Sequence, residues 1–314
     1  MAAGRAVTDE GDRDLFGRPV VIPPRTRKVI EVAAEIMQEP PDRADYLHAV
    51  LCQVGMPRAA TEAREFIRRN GSVFMKLEAG SLFNGIGDFI PQPLPYGSRP
   101  RLVMVHISSE AVRTQRREIE IGDSIRDFMG RLGIPDGGGP RGGYTMFKRQ
   151  MQALAACRLT LGLAVPGRSV TINTQPITRF EAWLQPEGGQ HTLWPGELQL
   201  SQEFFETLLA HAVPLDPRAL GGLKGSALAL DVYSWLAHRL CRITGEAVRV
   251  SWRNLRDQFG QEYGDPKDFK KKFRVALRQV LTVYPDARVE EEPGGLLLRS
   301  SRPPLAKTQV LLTP

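Results

Sequence analysis

The stretch "DPKDFKKKFRVALRQVL" (265–281) carries six Lys or Arg and two Asp among a full set of apolar residues. At 100° per residue, Lys267, Lys270, Lys271, Arg274 and Arg278 share one arc, while Phe269, Phe273, Ala276, Leu277 and Val280 share another. Such a helix docks its apolar side on a core and presents its cations to solvent or to a polyanion. The chemistry on offer is charge pairing. Lysine ammonium groups serve phosphates as flexible point charges, and arginine forks pair bidentately with guanine edges. Arg253 lies just upstream, and Lys148 and Arg149 lie on a second polar helix face with Thr145 and Gln152. That second face is open to three uses: DNA contact, plain solvent exposure or a subunit contact. A charge run by itself is ordinarily solvated surface, so position in the fold has to decide.

Covalent and metal chemistry find no comparable set. Gly137, Gly139 and Gly142 spell G-x-G-x-x-G, but a helix precedes them and Pro140 interrupts them, so a flexible turn is the better reading. There is no G-x-x-x-x-G-K-[ST] and no G-x-S-x-G. His48, His106, His191, His211 and His238 never fall at metal-ligand spacing. Trp183 and Trp194, as strand residues, belong in a core before they serve as base-stacking platforms. The expectation is a protein that is not an enzyme, with no cofactor and no metal.

Composition agrees with a polyanionic partner. The 314 residues carry a net charge of +7, with a pI near 9.5. Residues 221–302 hold 15 Lys/Arg against 10 Asp/Glu, so +5 of that charge sits in one region. No apolar run reaches the roughly 18–20 residues a transmembrane helix needs, and the first residues lack signal-peptide character, so a cytoplasmic protein is expected. A membrane-lying basic helix would spend its Phe and Leu on lipid, whereas here the core requires them. Cys52, Cys157 and Cys241 sit apart among apolar residues and read as buried thiols.

The elements that must position the cations follow from periodicity. Helices are expected at 25–38, 44–55, 101–114, 122–133 (capped by Gly122 or Asp123) and 144–157. A strand is expected at 117–121, and strands with turns at Pro166-Gly167 and near Pro176 over 158–184. A Pro/Gly-punctuated connection at 211–223 leads to a long helix at 224–243, a strand at 248–252 and a short helix at 252–260. The basic helix and a Pro-Gly hairpin at 287–300 complete the chain. Asp265 as N-cap, Pro266 at the first helical position and Asp268 in the first turn specify the start of the basic helix. Helix, strand, helix, turn, helix, hairpin is the order of a winged helix, and it occurs twice. The expected fold is α+β, mainly helical. It comprises a flexible N-terminus (1–24), a helical N-terminal region (25–90), two tandem winged-helix domains (91–215 and 216–302) and a tail (303–314). The basic helix then stands where a recognition helix belongs.

Four stretches carry a family resemblance: 45–58, 93–134, 225–240 and "SWRNLRDQFGQEYGDPKDFKKKFRVALRQVLTVYPDARVEEEPGGLLL" (251–298). They resemble the plasmid-encoded RepA family of replication initiators. The resemblance implies a protein that binds repeats (iterons) in double-stranded DNA at a plasmid origin, promotes opening and recruits the host initiator and helicase. It also implies a homodimer in equilibrium with monomer. The second unit would read the repeat, while the first contacts DNA or forms the dimer interface. Glu290, Glu291 and Glu292 depart from this picture, and the expectation is a wing turned away from DNA or toward a partner. A winged-helix repressor or autoregulator without a replication role stays open as the alternative. A nicking initiator would need a catalytic Tyr and paired His that the spacing denies.

Overall fold

The computed structural model describes residues 22–84, 87–122, 124–137, 139, 142–165, 167–179 and 197–305. The expected flexible segment through residue 21, Asp123, Pro140, Pro166, Trp183, His191, Trp194 and the tail from 306 lie outside them.

The first third of the chain runs α1 (Pro24–Gln38), β1 (Asp45–His48), α2 (Ala49–Gln53), β2 (Glu65–Asn70), β3 (Val73–Glu78), β4 (Ser81–Phe83) and β5 (Phe89–Pro91). The middle holds α3 (Ser98–Thr114), β6 (Glu118–Glu120), α4 (Ile125–Arg131), α5 (Gly143–Ala156), β7 (Arg158–Val165), β8 (Arg168–Thr174), β9 (Ile177–Arg179) and β10 (Glu197–Leu200). Then come α6 (Gln202–His211), β11 (Ala212–Leu215), α7 (Pro217–Leu223), α8 (Ala227–Leu240), β12 (Val248–Ser251), α9 (Trp252–Phe259), α10 (Pro266–Val283), β13 (Val289–Glu292) and β14 (Gly295–Leu298). The fold is α+β, as expected.

Four local expectations are corrected. Residues 44–55 are a strand followed by a short helix, because Asp45–His48 pairs antiparallel with Ala212–Leu215, a partner remote in sequence. His48 then caps α2, its Nδ1 accepting from the Val50 N–H at 3.1 Å. The region 25–90 is not helical throughout: β2 and β3 join β7 and β8 in a four-stranded antiparallel sheet. Buried Met75 and Leu77 there face buried Leu161 and Leu159. The loop Gly71-Ser72 closes β2 on β3, and Gly71 at φ +57° supplies the backbone that a two-residue hairpin requires. The connection at 211–223 is also structured, since Asp216 caps α7 and Pro217 takes its first position. Ser124 is the cap of α4, accepting from the Asp127 N–H at 3.0 Å.

The two expected repeats also differ. After α9 and α10 the hairpin β13–β14 pairs with β12, giving the sheet order β12–β14–β13. After α5 the hairpin β7–β8 leaves β6 and pairs with β3, while β6 pairs with β10. The alternating Leu159 and Leu161 of β7 need a cover, which β3 provides. One contiguous apolar core runs from Val29 to Leu298. N-terminal elements pack into the C-terminal part: α1 on α7 and α10, and α2 on α8. Of the cysteines, Cys52 and Cys157 are buried as expected, whereas Cys241 is exposed at the end of α8.

Candidate nucleic-acid interface

The sequence signals for α10 act as expected. Asp265 Oδ1 accepts from the Lys267 N–H at 2.8 Å, and Pro266 fills the first position. Phe269, Phe273, Ala276, Leu277, Val280 and Val283 are buried. The Phe269 and Phe273 rings lie 5.5 Å apart, and Phe273 packs 5.7 Å from Phe259 of α9 and edge-on to Trp252 at 5.8 Å. Gly260, the C-cap of α9, has to be glycine because a Cβ there would meet the Phe269 ring at 2.6 Å. The apolar side of α10 is therefore committed to the core, and its rotation is fixed.

That rotation puts the cations outward. Lys267, Lys271 and Arg278 are exposed, as is Arg253 on α9, and none of the four makes an ion pair among the described residues. Lys270 and Arg274 are half-buried over the Trp252 indole, 4.6 and 5.7 Å from its centroid. Trp252 is thus the platform that holds two of the five cations, through cation–π attraction. Two further residues of this surface were not singled out by periodicity: Lys272 is exposed on the flank, and Val275 is 43% exposed beside Lys271, while Glu291 reaches in from the hairpin.

Glu291 brings the hairpin against the cationic face of α10. Arg274 Nε donates to both Glu291 carboxylate oxygens at 2.9 Å, and Arg274 Nη2 also donates to Glu291 Oε1. The hydrogen bonds from Arg274, aided by the charges of Lys270 and Arg278, hold the Glu291 carboxyl below the ordinary range. Alternation along β13 sends its neighbours elsewhere: Glu290 pairs with Arg299 at 3.2 Å and Glu292 with Arg249 at 3.0 Å. Each acid of the hairpin thus has its own arginine. The side-on pairing uses Nε and one Nη2 hydrogen, and leaves the Nη1–Nη2 end of Arg274 available for a second bidentate partner.

The turn between α9 and α10 is anchored from behind by the N-terminal region. Glu262 in that turn accepts from Arg68 Nη2 of β2 at 2.7 Å and from Arg58 Nε at 3.1 Å, and the Arg58 guanidinium lies 4.1 Å from the Tyr263 ring centroid. Burial pushes the Glu262 carboxyl up, but Arg68 and Arg58 outweigh it and hold it low. Deeper in, Arg101 of α3 and Asp231 of α8 form a buried bidentate pair at 2.6 and 2.8 Å.

Lys148 and Arg149 occupy a different surface. α5 packs on α3, α4 and β9, whereas α10 packs on α8, α1, α7 and α9. Arg149 is exposed, and Lys148 is half-buried, its ammonium pushed below the usual lysine range by that burial. Among the described residues no cluster of His, Cys, Asp or Glu has metal-site geometry, and no helix is long and apolar enough to cross a membrane.

A basic second helix behind a pinned turn, flanked by a hairpin, defines an α+β protein with a helix-turn-helix whose second helix presents a cationic face. The family described as plasmid encoded RepA protein matches residues 94–254, half of the chain, and the chain belongs to that family of plasmid replication proteins. No curated protein matches it. A solved structure of domains 2 and 3 of RctB aligns with 79% of this chain and 96% of its own, at 12% identity and a TM-score of 0.47.

Proposed function

We propose that this chain is a plasmid replication initiator that binds direct repeats in the double-stranded DNA of its origin, with α10 in the major groove. The reading rests on one observation: the apolar face of α10 is locked in the core, so its five cations form one fixed outward surface. Lys267, Lys271 and Arg278 contact phosphates, and Arg274 and Lys270 reach base edges. Residues 216–302 act as the reading winged helix. The unit at 91–215 mediates a dimer that dissociates on repeat DNA, and the bound protein opens the duplex and recruits the host initiator and helicase. The protein performs no covalent chemistry of its own and acts in the cytoplasm, where the plasmid resides.

The test is a salt titration of binding to a duplex carrying a repeat from beside the gene and to a scrambled duplex. Lys271→Ala should weaken both alike and lower the salt slope by about one unit. Sedimentation of the full chain should show dimers that the repeat duplex converts to bound monomers. A strain whose plasmid replicates without this gene, while its promoter is derepressed, would favour the repressor instead.

A further inference from the structure

A second cationic cluster lies outside the α10 surface. Between the β2–β3 turn and the start of α9 is a cleft of about 450 Å³ lined by Arg69, Asn70, Arg239, Arg249, Asn254 and Asp257, among others. Three arginines face one carboxylate there. Arg69 and Arg239 make no ion pair among the described residues, and the Arg239 Nε is buried without a hydrogen-bond partner. Arg249 holds Glu292 at 3.0 Å and so keeps part of its fork free. Guanidinium forks beside two side-chain amides are the donor set for phosphate oxygens.

We propose that this cleft is a phosphodiester subsite, gripping the DNA backbone beside the groove that α10 enters. The occupant follows from continuity. Asn254 and Asp257 belong to α9, and the same helix carries Trp252 under Lys270 and Arg274. A duplex on α10 has its backbone crossed by the preceding helix, which brings a phosphate to the start of α9. The inference rests on the reading of α10 as the DNA-facing helix, and it adds a specific consequence. Arg69 and Asn70 belong to the N-terminal sheet, so bound DNA is clamped between that sheet and the reading unit. Because Arg68 of the same strand anchors the turn before α10 through Glu262, the clamp and the reading helix share one rigid support.

The experiment uses the full chain with Arg69→Ala, Arg69→Lys and Arg249→Ala, and Lys271→Ala as the control. Repeat and scrambled duplexes are titrated across salt. A second series places a single neutral methylphosphonate at each backbone position of the repeat. Arg69→Ala should lower the salt slope by about one unit on both duplexes, and Arg69→Lys should restore most of it. One methylphosphonate outside the Lys271-sensitive positions should weaken wild type and leave Arg69→Ala unaffected. If Lys271→Ala lowers the slope while Arg69→Ala and Arg249→Ala do not, the cleft is no DNA subsite, though the α10 reading stands. If none of the three changes the slope, both readings fail. Calorimetry with inorganic phosphate separates the sources: tight binding that Arg69→Ala abolishes, with the DNA slope unchanged, would mean a free phosphate ligand and overturn the proposal.

Discussion

Replacing Glu291 by Gln removes one charge from the α10 surface while keeping the side chain's shape. At about −0.9 per neutralised phosphate, the cation that Glu291 no longer neutralises should steepen the salt slope by about 0.9. Across a fourfold drop in salt, that difference alone adds about 3.5-fold in affinity, for repeat and scrambled duplexes alike. Discrimination should move the other way. Glu291 holds the Nε side of Arg274 with three hydrogen bonds and so fixes the direction of its free end. An amide offers one acceptor oxygen and no charge, so the fork swings and the preference at one base position relaxes. Glu291→Gln should therefore bind scrambled DNA more tightly and show a smaller repeat-to-scrambled ratio. The assay is fluorescence anisotropy on both duplexes at four salt concentrations. An unchanged slope with an unchanged ratio would refute the placement of Glu291 against the duplex.

Other expectations concern the support of this surface. Asp231→Ala should cost about 3–5 kcal/mol in a urea titration, because it leaves the Arg101 guanidinium buried and unpaired; a loss under about 1 kcal/mol would contradict the described pair. Burial beside Phe204, with a smaller contribution from His211, pulls His48 down from 6.5 to about 4. The unfolded chain therefore takes up this proton first. His48's contribution is full above pH 6.5 and is lost as pH falls toward 4, amounting to about 2 kcal/mol by pH 5. His48→Gln should flatten that part of the stability profile, and an unaltered profile would refute it. Val275→Ser should leave stability unchanged and weaken the repeat several-fold if its exposed methyls meet a thymine; binding unchanged at every repeat position would exclude that contact.

How much the sequence revealed depended on the range of the interactions. Asp265, Pro266 and the apolar spacing of α10 act within a few residues, so its limits, buried face and cations were legible. "DYLH" was misread as helix because its partner strand lies more than 160 residues away, and no local pattern announces Val213 opposite Leu47. The strands at 65–78 failed for the same reason: β3 earns its place through β7, and Arg68 and Arg69 in β2 obscure alternation. The ion pairs of the acidic hairpin are not legible in the sequence, because composition does not give register. Once Glu291 stands opposite Leu296, it points at Arg274 while Glu290 and Glu292 find arginines of their own. Trp252 is not legible as a cation platform, because its contacts with Lys270 and Arg274 arise only when α9 packs against α10.

The double substitution Lys270→Ala/Arg274→Ala distinguishes an outward face of α10 that reads DNA from one that is only solvated. Both positions lie off the Phe269–Phe273–Leu277 face, so the circular dichroism spectrum should not change. Binding to the repeat should fall about ten- to a hundredfold, more than binding to the scrambled duplex, with little change in the salt slope because the phosphate contacts of Lys267, Lys271 and Arg278 remain. Unchanged affinity for both duplexes in a folded double variant would mean that these cations are only solvated surface.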